Sequence, residues 1–277
     1  MNMLPDLVKI SFYFPETPRA IKNKRKLFNL IAQEMRNDGN IKRAGYLKEK
    51  DFLKELIEHT GNNAFVYKNP SAEQKQTIEK NILLAVKKSN KILPHPDLPI
   101  FIFVYPWFPN IKNRALFQGV NAFAVYYTLH LFIDLNSYTG DSLQQTIAHE
   151  WNHLVFYRYH IEQDYPLYTR MIMEGLAEIF REETMCGNIS PWTSALTKTE
   201  AETQLQSFNT KLLARKGMKI YREVFWGSKK YKRWVGYSIG YWLAKKFRKL
   251  NPKLSWEEII KTKPEDILKS VKKGRSS

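Results

Sequence analysis

The chain has 277 residues, 43% hydrophobic and 14% aromatic, which excludes a disordered polypeptide and leaves enough apolar surface for a substantial core. Its net charge of +17 raises a nucleic-acid or anionic-membrane partner. No RNA- or DNA-binding motif accompanies the charge, so solvated helix faces are the first reading. The single cysteine, Cys186, excludes an internal disulfide and a multi-cysteine metal site.

The opening Met1-Asn2-Met3-Leu4-Pro5-Asp6 has no basic segment ahead of an apolar stretch and does not read as a secretory signal. The longest apolar runs, such as Ile100 to Tyr105, are too short to cross a bilayer as a helix. With the cysteine usage, these features point to the cytoplasm.

Residues from about Lys22 to Leu93 read as mostly helical. Phe28, Ile31 and Met35 fall at helical spacing, as do Phe52, Leu56 and Ile57. Ser71 ahead of Gln74 suits a helix start, and Ile78, Ile82 and Ala85 continue its apolar face. His95, between two prolines, closes this region. The texture then changes to short β-rich runs at Leu98–Tyr105, Ala122–Tyr127 and His130–Leu135, which suggest a small sheet. After Leu135 the pattern is helical. Asp141 or Ser142 is the expected cap of the next helix, with Gln145 completing a capping box. Further helices are expected near Leu167–Glu183, Ser194–Arg215 and Trp234–Leu250. The class is α+β, with a boundary expected between residues 95 and 96.

The informative stretch is His149-Glu150-Trp151-Asn152-His153. Residues four apart share a helix face, so both imidazoles can reach one ion, and Glu150 can reach a water on it. A catalytic zinc takes three protein ligands and keeps one position open. Two histidines therefore lack a partner. Met173-Glu174-Gly175-Leu176-Ala177-Glu178 supplies one: Glu174 can be the third ligand, and Glu178, one turn on, can orient a ligand histidine. Gly175 lets this helix approach a neighbour closely.

The histidine pair followed by Glu-Gly-Leu-Ala resembles the gluzincins, the peptidase group containing thermolysin and the aminopeptidases related to leukotriene hydrolase. Within it, the chain is most similar to the predicted Zn-dependent proteases of the YjaZ type. Three stretches carry the likeness: Gly119-Val120-Asn121-Ala122-Phe123, the two motifs above, and Gly236-Tyr237-Ser238-Ile239-Gly240-Tyr241. The likeness runs from about Leu98 to Leu250. It implies a zincin-like domain over residues 96–277, with a small sheet, a His-Glu-x-x-His helix and a mainly helical remainder, behind a helical region over residues 1–95.

It further implies Zn2+ held by His149, His153 and Glu174, with Glu150 as general base, Glu178 behind a ligand, and a peptide or protein substrate. The substrate would lie along Asn121, Ala122 and Phe123 as an added strand. Tyr237, with Tyr241 as substitute, is the candidate for stabilising the oxyanion. His160 is a weaker donor candidate and reads as a surface histidine. The Gly-x-Met-Glu-Asn-type segment of the aminopeptidases is missing, which favours an endopeptidase. A second reading is a non-catalytic protein of this fold that binds anionic partners through its basic surface; the intact ligands and base weigh against it.

Overall fold

The computed structural model describes residues 8–15, 24–59, 69–95, 99–162, 164–187 and 189–273. Lys22 and Leu98, which bound runs read from the sequence, and the opening Met1–Asp6 lie outside that set. The chain forms two compact units. One holds the residues up to Lys91 with His95–Leu154; the other holds Ile92–Pro94 with the residues from Val155 onward. The division at Leu154/Val155 falls inside a continuous helix.

The first unit is built on a four-stranded sheet: β1 (Val8–Phe12), β2 (Ile100–Pro106), β3 (Val120–Val125) and β4 (Thr128–Ile133). The order is β1-β2-β4-β3. β1 runs parallel to β2 and β2 to β4, whereas β3 returns antiparallel on β4. The three β-rich runs of the sequence are β2, β3 and β4. β1 was not expected: it is five residues long and gains its place only by pairing with a strand some ninety positions later. It ties residues before 95 into the same sheet as those after it.

Helices α1 (Lys24–Asn37) and α2 (Glu49–His59) cover one sheet face. Leu27, Phe28, Ile31 and Met35 from the first, and Phe52 and Leu56 from the second, pack with Phe103, Tyr105 and Phe132. The period of two puts Ile102, Val104, Leu129 and Leu131 on the opposite face, and these are fully buried as well. Strands buried on both faces read as unbroken apolar runs, which is why β2 was legible. Helix α3 (Ala72–Ile92) begins at the reciprocal Ser71–Gln74 box: Gln74 N–H donates to Ser71 Oγ at 3.1 Å, and Ser71 N–H to Gln74 Oε1 at 3.0 Å. A short helix, α4 (Ile111–Phe117), leads into β3.

Helix α5 (Gly140–Tyr159) carries the histidine pair. Its cap is one turn earlier than expected: Ser142 N–H donates to Thr139 Oγ1 and Thr139 N–H to Ser142 Oγ, both at 3.0 Å. Asp141 and Gln145 play no part in this box. The second unit is helical: α6 (Leu167–Met185), α7 (Lys198–Ser207), α8 (Thr210–Leu213), α9 (Met218–Phe225), α10 (Val235–Leu250), α11 (Trp256–Lys261) and α12 (Pro264–Lys273). The single helix expected over Ser194–Arg215 is two. Phe208 is extended and buried between them, and Asn209 starts the second by accepting from Leu212 N–H at 2.8 Å. No helix of the described residues is long and apolar enough to cross a membrane.

Candidate metal centre

On α5, Ile147, Ala148, Leu154 and Val155 are fully buried, so the helix is fixed by packing on either side of the motif. Trp151 is fully buried and meets the His95 ring edge-on at 5.8 Å. Gln144 donates to Asn81 of α3 at 2.8 Å, which ties the helix start to its neighbour. His149 is half-buried and His153 is 5% exposed; their rings stand 4.7 Å apart and perpendicular, at 89°. Glu150 is buried at 7% exposure.

On α6 almost every side chain from Leu167 to Arg181 is buried, Glu174 and Glu178 included. Two carboxylates so far from water are costly unless matched by partners or a cation. For Glu178 the partners are plain. Ser190 Oγ donates to it at 2.7 Å, Trp192 Nε1 at 3.0 Å, and the Arg181 guanidinium pairs with it at 3.1 Å. None of these three had been singled out in the sequence. Ser190 and Trp192 come from the turn after α6, where no local pattern announces them, and Arg181 lies on α6 itself, three positions past Glu178.

The α6–α10 crossing explains the two glycines of the motifs. A Cβ on Gly175 would lie 2.0 Å from the Gly240 carbonyl oxygen, and one on Gly240 would lie 1.9 Å from that of Met171. Only hydrogen fits at both points, so the backbones touch. The rest of the α10 motif is used as closely. Gly236 packs on the Phe225 ring, and Ser238 Oγ donates to Trp192 O at 3.1 Å and accepts from Leu196 N–H at 3.2 Å. That pins the turn holding Trp192.

Tyr237 is enclosed by Trp192, Phe225 and Trp226, with ring distances of 6.4, 4.9 and 6.2 Å. Burial pushes its phenol well above the ordinary value, and Tyr221 and the Glu174 carboxylate add to the shift. The phenol therefore stays protonated, and it shares a hydrogen bond with Tyr221. Tyr241 lies elsewhere: its hydroxyl donates to Glu182 at 3.0 Å and accepts from Lys245 at 3.1 Å. His160 is half-buried, not a surface residue. Its Nε2 meets the Ile260 carbonyl at 2.6 Å and its ring lies tilted against Phe156 at 4.4 Å, so it serves packing.

Asn121, Ala122 and Phe123 lie on β3, and no further strand pairs with its outer side among the described residues. Asn121 donates to the His59 carbonyl at 3.2 Å, and Phe123 stacks on His130 at 4.6 Å. His130 was not singled out in the sequence. It is fully buried, with Tyr105 Oη at 3.0 Å from Nδ1 and Ala44 O at 3.0 Å from Nε2; burial lowers its pKa to about 3, so it is neutral.

One ligand atom each from His149, His153 and Glu174 lies within 4.8 Å of the others. Two imidazoles and a carboxylate are a zinc donor set, and atoms sharing a tetrahedral zinc stand roughly 3.4 Å apart. Small side-chain rotations cover that difference, so the residues fit the metal. The chain belongs to a family of predicted Zn-dependent proteases (DUF2268), which matches residues 78–269. Searches of curated proteins and of solved structures give no match.

Proposed function

We propose that the protein is a zinc-dependent peptidase of gluzincin type, acting as an endopeptidase, with a zincin-like catalytic region. The observation that carries this is the convergence of His149, His153 and Glu174 within 4.8 Å, in a chain of a predicted Zn-dependent protease family. Those three residues would hold the metal. Zinc, when bound, lowers the pKa of a water and polarises a peptide carbonyl.

The chain's own groups supply the rest. Glu150, next to the first ligand on α5, takes the proton of the attacking water and returns it to the leaving nitrogen. Tyr237 donates its phenolic hydrogen to the developing oxyanion; the burial that keeps its phenol protonated supports this role. Glu178, anchored by Ser190, Trp192 and Arg181 one turn past Glu174, orients a ligand imidazole. Asn121, Ala122 and Phe123 offer the backbone of an edge strand to the substrate chain.

Elemental analysis of wild type against a His149→Ala, Glu174→Ala double variant is the test of the ligand set. About one zinc per chain, lost in the variant, is expected. Glu150→Gln should retain the zinc and lose turnover of a peptide library. Undiminished turnover in that variant would remove Glu150 from the mechanism, and a zinc-free wild type after incubation with the metal would end the peptidase reading.

A further inference from the structure

The segment Trp226–Trp234, between α9 and α10, is a closed cationic turn beside Tyr237. Gly227 adopts φ 93°, and a Cβ there would lie 3.0 Å from Arg233 Cα, so the two ends of the turn meet backbone to backbone. Ser228 organises the interior: its N–H donates to Tyr231 O at 3.0 Å, and its Oγ accepts from the N–H groups of Lys230 and Tyr231, each at 3.2 Å. Trp234 N–H closes the base on Phe225 O at 3.0 Å. Tyr231 turns inward and packs on Phe208 at 5.5 Å, which leaves Lys229, Lys230, Lys232 and Arg233 outside.

These cations are not neutralised as others in the unit are. Lys232 reaches Glu200 at 3.6 Å, whereas Lys229, Lys230 and Arg233 make no ion pair with a described carboxylate. Lys230 and Arg233 instead lie over the rings of Tyr231 and Trp234, at 5.2 and 4.3 Å. The basic run on α10 contrasts with this: Lys245 is held by Tyr241, and Arg248 pairs with Glu183 at 3.2 Å. Trp226, 45% exposed, continues the turn toward the Tyr237 ring, 6.2 Å away.

We propose that this turn is the substrate-selecting rim of the candidate site and receives acidic side chains of the peptide substrate. The proposal rests on the peptidase reading and adds its substrate class. Three like charges held on an ordered turn repel one another, and carboxylates arriving there relieve that repulsion. Trp234 under Arg233 orients a guanidinium that can take a carboxylate with two hydrogen bonds. The turn is already formed, so little ordering is needed on binding.

The test compares a Lys229→Ala, Lys230→Ala, Arg233→Ala variant with a Lys253→Ala, Lys272→Ala, Lys273→Ala variant of equal net charge, whose three lysines are exposed elsewhere in the same unit. Zinc content and circular dichroism establish that both fold. Each is assayed for cleavage of two peptide libraries, one rich in Asp and Glu and one rich in Lys and Arg. Binding of the same labelled libraries to Glu150→Gln versions is read by anisotropy. Wild type should prefer the acidic library, and the turn variant should lose that preference by roughly tenfold while the other variant keeps it.

Equal loss in both variants, or no acidic preference at all, overturns the proposal. Should no library be cleaved, the peptidase reading fails while the anisotropy arm still decides whether the turn captures acidic peptide. A labelled RNA bound through the turn, with acidic peptide ignored, would also overturn it.

Discussion

Replacing Gly175 by alanine tests whether the close approach of α6 and α10 is what sets Glu174 in place. The added Cβ would sit 2.0 Å from Gly240 O and 2.8 Å from Tyr241 N, against a practical limit of 3.0 Å. Both obstacles are backbone atoms, so no rotamer change relieves them, and the helices must part by about 1 Å. A gap of that size forfeits a quarter to a half of the dispersion attraction across it. Overpacking of this kind costs about 1–3 kcal/mol, while alanine recovers about 1 kcal/mol over glycine in helix propensity. The net loss is up to about 2 kcal/mol, or a Tm lower by up to about 4–8 °C in a chain of this size. Glu174 adjoins the site of strain, so zinc affinity should fall by tenfold or more, the scale seen when support behind a ligand is lost. Thermal unfolding of the apo-protein and zinc competition against a chromophoric chelator measure the two effects. Gly240→Ala should behave alike, and the double variant should cost less than the sum, because the helices have already parted. An unchanged melting curve together with unchanged zinc affinity would refute the reasoning.

Glu178→Ala should destabilise by about 3–5 kcal/mol, because it strands the buried Arg181 guanidinium along with the Ser190 and Trp192 donors. Adding Arg181→Leu should recover part of the loss in urea unfolding, and a double variant no better than the single would contradict the pairing. Chelation should lower the Tm of wild type but not of the His149→Ala, Glu174→Ala variant; at free zinc about 1,000-fold above Kd the linked stabilisation is about 4 kcal/mol. His130 predicts acid sensitivity. Its pKa falls from 6.5 to about 3 on folding, so the unfolded chain binds its proton first as pH drops. The stability tied to the neutral ring is intact above 6.5 and drains away toward 3, by about 2 kcal/mol at pH 5. Urea midpoints across this range should fall less steeply in His130→Phe, and an identical slope would assign the acid loss to other groups.

Much of the candidate site was legible because its signals are local. His149 and His153 share a face through helix geometry alone, Ser71 and Gln74 cap α3 across three positions, and β2 is an unbroken apolar run since both its faces are buried. Glycine at 175 also spoke plainly beside a glutamate inside an apolar helix. The remainder depended on partners distant in the chain. β1 is too short to declare itself without β2 to pair with. The Thr139 cap is held from a distant segment, since Ser142 Oγ also donates to Gln118 O at 3.0 Å, and Phe208, buried at 3% exposure, interrupts the expected helix. Tyr237 and Tyr241 are equivalent in sequence, one turn apart. Only the packing of α10 separates them, setting the first among Trp192, Phe225 and Trp226 and the second against Glu182. Periodicity assigns a residue to a face of its own helix; what that face meets is decided by tertiary contacts with segments distant in the chain.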